Sequence, residues 1–147
     1  MKTLKSYEKF FESKITNLSE LNRIFLEYVT DESLEELENY LKNDKYDNIN
    51  KESSFYNKNG LILMYNVYPV LFLFSFKEYE YLKIAIKYAD VNLMGKHNPL
   101  LYYLYTAHER DQQNNILNEL FHMVLMKAKW FTNGFDFLEN IVSLKRN

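Results

Sequence analysis

The chain has 147 residues, the length of one ordinary domain. Its 18 Lys+Arg against 20 Asp+Glu give a formal net charge of −2, which argues against a protein held to nucleic acid mainly by neutralising phosphates. The absence of cysteine excludes disulfide scaffolds, thiol catalysis and thiolate metal sites, while 47% apolar residues with only 3 Gly and 2 Pro suit a folded, mostly helical protein.

The opening MKTLKSYEKFFESKI carries lysines but no apolar signal core, so it reads as a mature N-terminus of a cytoplasmic protein. Residues 4–29 place apolar side chains (Leu4, Tyr7, Phe10, Phe11, then Leu18, Leu21, Ile24, Phe25, Tyr28) at helical spacing, with Asn17 or Ser19 available to cap a second helix. A further helix follows Thr30, with Leu34, Leu37, Tyr40 and Leu41 on one face and a capping box expected from Ser33 and Glu36. The polar stretch 43–60 is too long for an ordinary turn and reads as either an insertion loop or a mobile segment. From Leu61 to Phe76 the chain is apolar, but it is shorter than the about 20 residues a membrane span needs; alternation is nowhere sustained, so strands fit poorly, although 61–73 is ambiguous in period. Amphipathic helices are expected over 78–88, from Pro99 through Leu104, over 116–130 and over 137–144, with a polar break at His108–Asn114.

Tyr68-Pro69-Val70-Leu71-Phe72-Leu73 and Asn98-Pro99-Leu100-Leu101-Tyr102-Tyr103 place two prolines 30 residues apart. The first is followed by a second helical segment and then Ala89-Asp90-Val91-Asn92. This order resembles the ankyrin repeat, most specifically over 67–105, although Leu71 and Leu101 stand where that family's opening carries His. The resemblance implies a single all-α domain, 1–147, of stacked helical hairpins: an ankyrin-like solenoid with irregular repeats and an extra N-terminal helix. Residues 1–17 would be the cap, 18–50, 61–92 and 93–130 the repeat-like units, and 131–147 a truncated last unit. The alternative is a non-repeat helical bundle.

Chemistry is weakly signalled. His97, His108 and His122 form no i,i+4 pair, and Gly60, Gly95 and Gly134 stand alone, so neither a helical zinc site nor a phosphate loop is expected. The reading is therefore of a chain that is not an enzyme and carries no cofactor. The alternative is a small helical enzyme or ligand binder using His108, Glu109 and tyrosines.

The 13 Tyr, 11 Phe and 1 Trp are many for a domain this size, and exposed aromatics are good interface material. With the concave face that the resemblance implies, the expected protein-binding residues are Phe72, Tyr102 and Tyr105 on helices and Met94, Lys96, His97, Tyr46 and Asn48 at loop tips. Phe55 and Tyr56 in the insertion add a second contact. The run DESLEELE offers an acidic docking patch to a basic partner. The expected function is a noncatalytic protein–protein interaction module, an inhibitor or immunity factor acting on another protein. Neither nucleic acid nor membrane is a primary partner, and self-association is open to it.

Overall fold

The computed structural model describes residues 18–94 and 98–129. The chain divides into two compact units, Met1–Tyr88 and Ala89–Asn147. In the first, α1 (Glu20–Leu26) and α2 (Asp31–Lys42) lead to a 3-10 turn (Asn48–Asn50), strands β1 (Ser53–Tyr56) and β2 (Ile62–Val67), and helices α3 (Pro69–Ser75) and α4 (Tyr79–Tyr88). In the second, a 3-10 turn (Val91–Met94) precedes α5 (Pro99–Arg110) and α6 (Asn115–Lys127).

The two strands overturn the all-α, stacked-hairpin expectation: the chain is mixed, with an antiparallel β-hairpin across the expected loop 43–60 and the start of the expected unit 61–92. Its cause is local. Asn57 Oδ1 accepts from the amides of Asn59 (2.9 Å) and Leu61 (3.0 Å), folding the polar tip back on itself. Gly60 takes φ 80°, which a side chain would resist. Apolar residues then flank the turn, and Phe55 drops into the core. The ambiguous 61–73 run is split by Pro69, which cannot extend a ladder but starts a helix well.

Helix starts follow side-chain capping. Ser19 Oγ accepts from the Asn22 amide at 3.1 Å. The capping box forms three residues earlier than Ser33 with Glu36 would place it: Thr30 Oγ1 accepts from the Ser33 amide (3.0 Å) and Ser33 Oγ from the Thr30 amide (2.8 Å). Thr30 wins because its extended backbone (φ −137°, ψ 167°) is the geometry an N-cap needs.

The core of the first unit is a ring cluster. Phe25 lies 5.8 Å from Phe55, 6.0 Å from Phe72 and 6.1 Å from Tyr81, centroid to centroid. Leu37, Leu41, Leu73, Leu82 and Ile86 surround it, and α2 packs mainly on α4. In the second unit α5 and α6 pair through Leu100, Leu101, Leu104, Leu120, Phe121 and Val124. Asn92 holds the end of α6, donating to the Lys127 carbonyl (3.0 Å) and accepting from the Lys129 amide (2.7 Å). α5 runs past the expected break to Arg110, because His108 turns inward onto Phe121, with rings 5.4 Å apart and nearly parallel. Among the described residues no helix is long and apolar enough to cross a membrane. The cap 1–17 and the segment 131–147 lie outside the described residues.

Candidate functional site

The outward stripe of α2 is polar at helical spacing: Glu32, Glu35, Glu36, Asn39, Tyr40 and Asn43 fall at i, i+3, i+4, i+7, i+8 and i+11. The opposite stripe, Ser33, Leu37 and Leu41, is buried. The polar stripe lines a cleft of about 760 Å³, completed by Ser19 and Glu20 from the start of α1 and by Asp44–Tyr46 and Asn48 from the segment after α2. Among the described residues, five lining carboxylates face one lining cation, Lys45.

The floor after α2 is held in place by Asp44. Its two carboxylate oxygens accept from the amides of Asn48 (2.9 Å) and Ile49 (3.0 Å). Asn48 Nδ2 then donates to Tyr40 Oη at 2.9 Å. Burial raises the Tyr40 phenol above its ordinary value, against the lowering effect of Asn48, so it stays a neutral hydroxyl. These bonds occupy Asp44 with backbone donors and leave the glutamates of α1 and α2 as the cleft's outward charge.

Those glutamates crowd one another. The Glu36 carboxyl is held above the ordinary carboxylate range, first by burial, then by the charge of Glu27 and a hydrogen bond with it, and by Glu20; Arg23 opposes the shift. At the rim, Tyr46 is 66% exposed, with Lys45 Nζ 5.7 Å from its ring centroid. A carboxylate cleft with an open aromatic ring is matched to guanidinium or ammonium groups by charge and by ring quadrupole. Among the described residues no group of three or more His, Cys, Asp or Glu is placed to hold a metal ion.

The expected contact residues fall in both units and differ in exposure. Tyr46 and Asn48 line the cleft. Phe72 (3% exposed) and Phe55 (1%) are core, not contact, residues: they stack on each other, so the outward direction expected of both is corrected. Tyr56 is half-buried beside a second hollow of about 520 Å³. In the second unit Tyr102 is exposed, Tyr105 leans on Phe121 at 5.9 Å, and Met94 is half-buried. Lys96 and His97 lie outside the described residues. His108 is buried while Glu109 is exposed, so these neighbours do not converge on one centre. Glu20, Asn39 and Asn43 were not singled out from the sequence; the 3-4 spacing of polar residues outside DESLEELE was the signal for the last two.

No family model matches the chain, and no curated protein or solved structure matches it.

Proposed function

We propose that the chain is a noncatalytic protein-binding module whose α2 cleft receives a basic segment of another protein. The observation that supports this is the lining itself: Glu20, Glu32, Glu35, Glu36 and Asp44, with Lys45 as the one lining cation among the described residues. A basic partner is steered in by this field, and its cations relieve the repulsion around Glu36. Tyr46 supplies an aromatic anchor at the rim. Action is by occupation of the partner's surface, the way an inhibitor or immunity protein acts.

The test is calorimetric titration of the full chain with an Arg/Lys-rich peptide containing one aromatic residue, beside a neutral peptide of equal length. The basic peptide binds at least about tenfold more tightly, and Glu32→Gln/Glu35→Gln/Glu36→Gln removes the preference. Equal binding of the two peptides to the unaltered chain overturns the reading.

A further inference from the structure

The β-hairpin has two outer edges, and they are treated differently. At the edge of β1, Asn22 from α1 stands in for a neighbouring strand. Its Oδ1 accepts from the Tyr56 amide at 2.9 Å, and its Nδ2 donates to the Tyr56 carbonyl at 3.0 Å. Both backbone groups of Tyr56 therefore point away from β2.

This fixes the direction of the groups across the ladder. Tyr56 pairs with Ile62. In an antiparallel pair, residues directly opposite either exchange both backbone bonds or turn both sets outward. With Tyr56 turned to Asn22, Ile62 turns its N–H and C=O to the outer side of β2. Among the described residues no third strand pairs there. The ladder shifts register on both sides of Phe55 and Asn66 takes φ 43°, yet the edge carries none of the charges that usually guard one. No charged residue occurs from Leu61 to Phe76, and Leu61 (59% exposed) and Tyr65 (72%) stand open.

We propose that this edge is where two copies of the chain pair, β2 against β2 in antiparallel, giving one four-stranded sheet in the order β1–β2–β2–β1. Three observations favour a second copy as the occupant. A two-fold pairing sets like residues near like residues, and an uncharged strand accepts that without repulsion. A charged partner strand finds no complement on this edge. Asn22 occupies the Tyr56 backbone groups at the opposite edge, which disfavours a further strand there and so favours assembly that stops at two copies. The proposal is independent of the α2 cleft, which uses other residues.

The experiment is sedimentation equilibrium on the full chain across a concentration series, with Ile62→Pro and Tyr65→Lys beside it. Proline at 62 removes an outward N–H that β1 does not use, which edge strands tolerate. Lysine at the exposed position 65 brings two like charges together across the two-fold, and it keeps the test usable should the proline variant fail to fold. The unaltered chain is expected to show a concentration-dependent monomer–dimer equilibrium. A folded variant with the circular dichroism of the parent is expected to dimerise at least about tenfold more weakly. A chain that stays monomeric throughout the series overturns the proposal, and so does a dimer unaffected by a folded variant.

Discussion

Phe55 and Phe72 stack with ring centroids 4.3 Å apart and planes 13° from parallel. One comes from β1 and the other from α3, so this contact ties the hairpin to the helices of the first unit. Truncating either ring leaves a cavity beside Phe25. Phe72→Ala is expected to destabilise the chain by about 3–5 kcal/mol, and Phe72→Leu by clearly less. Urea unfolding followed by circular dichroism measures both. Binding of a basic peptide by the folded fraction should be unchanged, because neither ring lines the α2 cleft.

Tyr81, fully buried on α4, donates from Oη to the Glu27 carbonyl at 3.0 Å, pinning the turn between α1 and α2. Tyr81→Phe keeps the ring and leaves that carbonyl without the hydroxyl, with an expected loss of about 1 kcal/mol. Burial is the main cause holding this phenol above its ordinary value of 10.0. The folded chain therefore keeps a proton that the unfolded chain releases. Stability from this group is full below pH 10 and falls as pH climbs beyond it, and the Phe variant should show a shallower alkaline decline in a pH series of thermal melts.

Asn22 is nearly fully buried and satisfies both backbone groups of Tyr56. Asn22→Leu leaves them unpaired and is expected to cost about 2–4 kcal/mol. Asn22→Asp separates the two bonds. Its carboxylate still accepts the Tyr56 amide but places a second oxygen against the Tyr56 carbonyl. Protonation restores a donor, so the folded-state pKa of the new acid is raised. The variant is therefore most stable in acid and loses stability as pH rises through that value, the opposite of an ion-paired aspartate. Unfolding midpoints across mildly acidic to neutral pH read this directly.

In the cleft, Glu36 has the same sign for a different cause. Its carboxyl is raised by partial loss of solvation and by Glu27, so stability from it is full below the ordinary carboxylate value and is lost as pH rises through its folded value. Because the side chain is exposed, Glu36→Gln should stabilise the free chain near neutrality by a few tenths of a kcal/mol at most. The same change should weaken a basic peptide, with an affinity that falls as salt is added. A variant that binds such a peptide as tightly as the parent would remove Glu36 from the site.

The α2 stripe was legible in one dimension. The spacing of Leu37 and Leu41 against Glu32, Glu35 and Glu36 fixes which face is buried and which is charged, because both follow the period of a single helix, but Tyr40, expected on the apolar face, lines the polar cleft instead. Ser19, Pro99 and the acid-rich start of α2 were legible for the same reason: capping and dipole effects act within a turn. The hairpin was not, since an apolar run of strand length has no period of its own until a neighbour pairs with it. The direction of Phe72 was not either, because a ring three residues after a helix-starting proline points to core or solvent according to what packs above it.

Local order along the chain thus set the helices, their caps and the acid-rich face of α2, since each depends on residues within about one turn of one another. Only the tertiary structure paired β1 with β2, brought Asn22 to Tyr56 across 34 residues and closed the ring cluster over Phe55. Those contacts join segments far apart in sequence, and their free energy exists only once the chain has brought them together.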